Sequence, residues 1–179
     1  MLALVLSMVV SADPVVAVAQ FEVTGGADPR LGRAFASVVE ADLKAAGVAV
    51  RTDDQLGPKE WGKIKGATYV VTGTIVKLGA KQAITCRMLS VGDQSAVASA
   101  TLKSWNDRAA LTNAVLAQLK QSLPTKTAPL QVDDALMAAW GEALEAVHSG
   151  DPAVAKKLVA DVAKRWPVFV PAVERLAHL

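Results

Sequence analysis

Three β-prone runs follow one another between Thr68 and Lys103, and their close succession constrains the chain more than any other feature. Thr68 to Leu78 ends at Leu78-Gly79-Ala80-Lys81, Gln82 to Val91 ends at Val91-Gly92-Asp93-Gln94-Ser95, and Ala96 to Lys103 completes the set. Connections so short, each bearing a glycine, join antiparallel neighbours. In the middle run Ile84, Cys86 and Met88 alternate with Thr85 and Arg87, the period of a strand with one buried and one wet face. Such a sheet takes its helices on one side. Gly73 interrupts the first run between Val71 and Ile75, which share its face; the missing side chain leaves a notch, read as room for a packed helix or a strand bend and not for a ligand.

Upstream, Val15 to Val23 (VVAVAQFEV) is a valine-rich run suited to a strand covered on at least one face. Thr24-Gly25-Gly26-Ala27 forms a turn, Asp28-Pro29 is a helix-start signature and Gly47 a stop, with Leu31, Phe35, Val39 and Leu43 four apart on one face between them. Val48 to Thr52 (VAVRT) follows at once, completing a strand–helix–strand unit. Residues 53–65 are expected to hold a short helix around Trp61 and Ile64. Ser104 to Leu123 is expected to be a helix capped by Ser104 or Asn106, with Leu111, Val115, Leu119 and Leu123 as its apolar stripe.

After a linker around Pro124 to Pro129 the pattern changes to helices alone. One is expected over Val132 to Ser149 with Leu136, Trp140, Ala143, Leu144 and Val147 on one face, a second over Pro152 to Trp166 with Ala155, Leu158, Val159 and Val162, and a short third ending at Leu179. Gly150, Asp151 and Pro152 read as stop, cap and start. The fold class is therefore α/β: a mixed sheet made of a strand–helix–strand unit and a three-stranded antiparallel meander, helices packed mainly on one face, and a small C-terminal α-helical hairpin. Residues 14–122 form the α/β part, 123–131 the linker and 132–179 the tail. A tail of this size is too small to stand alone.

A hydrophobic fraction of 52%, largely Ala and Val, is ample for a core built on close approach of small side chains. The net charge of +2 arises from 19 basic and 17 acidic residues with no run of Lys or Arg, which argues against nucleic acid as a partner. At the start, the apolar run Leu2 to Val10 followed by Ser11-Ala12 reads as an export signal over residues 1–12 with cleavage after Ala12, the alternative being an ordinary buried strand; no Lys or Arg precedes the run. It is too short to span a bilayer, and no cysteine follows it to carry a lipid.

Chemistry-bearing motifs are sparse. His148 and His178 lie near helix ends with no second ligand at metal-binding spacing. Cys86 sits in a strand pattern without a nearby base, where a buried inert thiol is expected. The turn Thr24 to Ala27 lacks the spacing and the lysine of a phosphate-binding loop, and Asp28 puts a carboxylate where a phosphate would sit. No catalytic residue, cofactor or metal is expected. Tryptophan is enriched at interface hot spots, and Trp140, Trp166 and the neighbouring Phe169 are the candidate partner contacts, with an exposed apolar groove expected beside Trp140 or Trp166.

The segment from Val15 to Thr52, a strand ending in an aromatic followed by a turn, a helix and a second strand, resembles the opening of the TolB amino-terminal-like domain. Residues 66–102 resemble that family's most recognisable block: Gly66-Ala67, then Tyr69-Val70 into the strand, Gly73 within it, a hairpin, and a second strand ending before a glycine turn. Gln20 stands where the family usually has a proline before the aromatic, here Phe21. The tail resembles one tetratricopeptide repeat, with Gly150, Ala155 and Pro167 at the offsets that repeat uses. The resemblance implies a cofactor-free α/β domain used for protein contacts in the bacterial envelope, in a periplasmic or otherwise exported adaptor whose partners are other envelope proteins. The alternative it implies is a subunit or accessory factor of an envelope secretion or channel assembly, as in the CsgG-like relatives. That alternative needs a spare pair of membrane-inserting strands, which the sequence after residue 12 does not supply.

Overall fold

The computed structural model describes residues 13–51, 60, 64–78, 81–122 and 130–179. The expected signal segment, most of the expected 53–65 helix, the Gly79-Ala80 connection, and Leu123 with the linker to residue 129 lie outside the described residues.

Among the described residues six strands form one mixed sheet: β1 Val16–Val18, β2 Glu22–Thr24, β3 Val50–Arg51, β4 Tyr69–Leu78, β5 Lys81–Ser90 and β6 Ala96–Leu102. They run in the order β3-β1-β4-β5-β6, with β2 also on β4. The first three strands pair in parallel with their neighbours, β1 lying between β3 and β4; β4, β5 and β6 are the antiparallel meander. Helix α1 (Arg30–Ala45) and helix α2 (Arg108–Leu119) cover one face, and α3 (Asp134–Ser149), α4 (Pro152–Arg165) and α5 (Val170–Ala177) continue outward from α1. Among the described residues the far face carries a small apolar cluster of Ala17, Ala19, Ile64, Val70 and Leu89. Among the described residues no helix is long and apolar enough to cross a membrane.

The run from Val15 to Val23 is not one strand, as its composition suggests, but two. Val18 pairs with Val71 and Glu22 with Thr74, so Ala19, Gln20 and Phe21 stand against only Thr72 and Gly73. That extra residue is a β-bulge, which bends a strand and re-aims its side chains. The Phe21 N–H leaves the ladder and donates to the Gly32 carbonyl of α1 at 3.3 Å, while the Thr72 hydroxyl donates to the Gln20 carbonyl. The Phe21 ring then packs edge-on to Phe35 at 4.9 Å, and Phe35 lies 5.4 Å from Trp105. The notch at Gly73 is filled by this arrangement: a side chain there would collide with the Thr85 carbonyl of β5 and the Phe21 ring.

Other local signals act as the sequence suggests. The Asp28 carboxylate accepts from the Arg30 N–H at 2.9 Å and from its guanidinium, which holds the carboxyl below its usual range. Gly47, at φ +81°, ends α1. The expected helix from Ser104 to Leu123 is shorter. It opens as a 3₁₀ turn over Trp105–Asp107, where Asp107 accepts from the Lys103 and Ser104 N–H groups, and left-handed Lys120 closes α2. Asn106 does not cap it; its side-chain amide makes two hydrogen bonds with the backbone of Val132 just before α3.

Arg108 is buried at the junction of these parts. It donates to the Asp42 carboxylate of α1 and to the carbonyl of Trp105, both at 2.6 Å, and to the Leu130 carbonyl at 2.9 Å. Asp134 makes a second tie, accepting from the Trp105 indole at 2.7 Å and from Lys77 of β4 at 2.9 Å.

Candidate protein-contact surface

The tail is assembled by caps and small residues. Asp133 caps α3 by accepting from the Leu136 N–H at 2.7 Å. Gly150 at φ +80° ends it, and Asp151 accepts from the Ala153 and Val154 N–H groups ahead of a helix opened by Pro152. Buried Ala155 and Val159 of α4 and buried Ala143 and Leu144 of α3 belong to one core, which continues without a break to Val16 and Met88 of the sheet. The tail therefore docks on the α/β part. Gly141 brings α3 close against Arg30, and the Arg33 guanidinium lies 3.0 Å from Glu145.

Trp140 and Phe169 sit inside this joint, 1% and 0% exposed, with their rings edge to face at 5.3 Å. A groove does lie beside Trp140, between α1 and α5, but at 1% exposure Trp140 lends it almost no surface, so it is not the exposed aromatic face that was expected. Among the described residues the Trp140 indole N–H finds no hydrogen-bond partner. Trp166 is half-buried, under the Arg165 guanidinium at 4.6 Å from its ring. The structure thus brings Trp140 and Phe169 together and leaves Trp166 beside them at the surface.

What the tail exposes is aliphatic. Val168, Val170 and Val173 are 71%, 53% and 47% exposed, the latter two one turn apart on α5. Sequence reasoning passed over them in favour of the aromatics. Phase finds them only in part: Phe169, Ala172 and Leu176 recur at i, i+3 and i+7 and face inward, which turns Val170 out, whereas Val173, at i+4, belongs by period to the border of the inward stripe and is exposed all the same. Beside them a groove of about 460 Å³ separates α5 from α1, lined by charges of both signs, among them Glu40, Lys44, Glu174 and Arg175.

The remaining chemical groups are accounted for structurally. Gly25 and Gly26 adopt φ of +78° and +75°, and a side chain on Gly25 would strike the Lys77 carbonyl, so the turn is shaped by its packing on β4. The Cys86 thiol is buried and pushed up to about 12 by desolvation. His148 donates from Nδ1 to the Leu144 carbonyl at 3.0 Å. Among the described residues no group of three His, Cys, Asp or Glu side chains could hold a metal ion.

Fold and surface together define a mixed α/β protein whose helical tail presents an aliphatic face. No protein-family model matches the chain, and no curated protein matches it. Among solved structures it is similar to TolB from Acinetobacter baumannii, at 19% identity and a TM-score of 0.44 over 60% of this chain. That match spans only 28% of the TolB chain's length. It is also similar to the PelC dodecamer from Paraburkholderia phytofirmans (24% identity, TM-score 0.39, 62% of this chain and 89% of that one). A third is lipoprotein GNA1162 from Neisseria meningitidis (14% identity, TM-score 0.38, 61% and 99%).

Proposed function

We propose that this chain is a non-catalytic protein-interaction module of the bacterial envelope, exported and soluble, with the α/β part as a rigid frame and the tail as the surface that meets a partner. The observation that carries the reading is the exposure of Val168, Val170 and Val173 together at the α4–α5 connection and on α5, aliphatic side chains that a partner would remove from water at about 25 cal/mol per Å². Buried Phe169 and Trp140 hold α5 in place beneath them. Export rests on the apolar start before Ala12, and the envelope setting on the resemblance to TolB amino-terminal-like domains.

The test is capture of partners from an envelope extract by the full chain and by a variant carrying Val168→Asp, Val170→Asp and Val173→Asp. These positions are exposed, so the variant is expected to keep its circular dichroism and melting temperature while losing the captured protein. Equal recovery by both would place the contact elsewhere.

A further inference from the structure

The sheet has two edges, and they differ. At one end β3 is described over Val50–Arg51 and carries a charge in Arg51, a feature that discourages further pairing. At the other end β6, Ala96–Leu102, is seven residues long and contains no charge and no proline. Among the described residues β6 pairs only with β5, and no hydrogen bond links its outer edge to another element. Val97 is skipped by a bulge opposite Met88 and Leu89, and from Ala98 to Leu102 every second residue of β6 therefore turns its N–H and C=O outward.

A second feature borders the same edge. Helix α2 packs more closely on β6 than on any other strand. Its buried side, Leu111, Val115 and Leu116, belongs to the core. The opposite side should then be charged, as it is on α1 and α4, but it consists of exposed Ala109, Ala110, Asn113 and Ala117, which fall within one stripe about 100° wide. The only charged side chain of α2, Arg108, is buried against Asp42. A helix without a charged face is one that expects cover on both sides.

We infer that β6 and α2 form a two-fold interface with a second copy of this chain, β6 pairing antiparallel with its counterpart so that the sheet runs on through both protomers. Self-pairing centred on Ser99, short of the bulge at Val97, sets Ser99 against Ser99 and Ala98 against Ala100, with no bulky or charged opposition. The nearest cation on the open face is Arg87, which pairs with Ser99 within the protomer. Across the two-fold axis the two Arg87 positions stand three strand spacings apart, about 14 Å, beyond the screening length of about 8 Å at physiological salt. The α2 helices meet through alanines, which allow axes about 8 Å apart. A copy thus offers this surface the same uncharged complement, which a charged partner does not.

Sedimentation velocity of the full chain across roughly 1 to 100 µM tests this, with Ser99→Lys and, separately, Asn113→Glu as variants and Val173→Lys as the control. The wild type and Val173→Lys are expected to sediment at twice the 18.6 kDa chain mass. Each interface variant is expected to weaken association at least about tenfold, because it sets like charges against each other. Asn113 is exposed, so Asn113→Glu should melt as the isolated protomer does, while Ser99→Lys, which also faces Arg87 of its own β5, should melt slightly lower. A wild-type monomer throughout the range overturns the inference. So does a dimer that survives both substitutions, or one lost in Val173→Lys, which would assign association to the tail.

Discussion

Phe21 is the residue on which the α/β part turns, and two glycines make its position possible. Gly73 clears space for its ring, and Gly32 lets α1 come down onto its carbonyl. The bulge that aims Phe21 inward could not be read from VVAVAQFEV, because the apolar run continues through it; the extra residue is fixed by pairing with β4, more than fifty positions along the chain. The notch at Gly73 was legible, since a glycine between Val71 and Ile75 in a strand implies a close neighbour, whereas the identity of that neighbour was not. Gly73→Ala is accordingly expected to cost about 3 kcal/mol in urea denaturation, the upper part of the usual range for overpacking, because the obstruction is the Thr85 backbone as well as a side chain. A loss below about 0.5 kcal/mol, the level of an ordinary surface change, would show that the strands part there at no cost.

At the scale of elements, periodic signals located nearly everything they could. Leu31, Phe35, Val39 and Leu43 are all buried on α1, and the stop, cap and start at Gly150 to Pro152 act as such. What they could not show is a helix buried on two sides. Arg30, Arg33, Ala34, Ser37 and Ala41 make a second flank of α1, outside the predicted stripe, and this flank receives the tail. Its small residues were the available signal. Arg108 is likewise invisible to pattern reading, since nothing local marks a lone arginine as the buried link between α1, α2 and the segment entering α3. Truncating Asp42 leaves that cation with only the Trp105 and Leu130 carbonyls. Asp42→Ala is expected to cost about 3 kcal/mol, the lower end for breaking a buried pair because Asp42 is partly exposed. Adding Arg108→Met should recover part of this, giving a coupling of at least about 1 kcal/mol in a double-mutant cycle. Strict additivity would mean that the two carbonyls alone hold Arg108.

On the scale of the whole molecule, the pattern after the linker is that of a tail too small to stand alone, and the structure joins it to the α/β part through one core. Val132, Leu136, Trp140 and Phe169 lie in the same apolar cluster as Phe35, Val71 and Trp105. The hydrogen bonds of Asn106 with Val132 and of Trp105 with Asp134 fasten the entry to α3 on the α/β part. Removing residues 130–179 would therefore strip the second flank of α1 and unpair Trp105, so a lost partner after such a truncation would report damage to the frame as readily as loss of a contact. It is for this reason that surface valines, not a deletion, test the tail. The shared core also makes a prediction about cooperativity, because elements that bury the same side chains open together. Amide hydrogen exchange followed in increasing denaturant should show the slowest amides of α1 and α3 converging on a single opening free energy. If those of α3 exchange through an opening smaller by more than about 2 kcal/mol, the tail is a unit that detaches first, and its contact with α1 is a docking surface instead of a core.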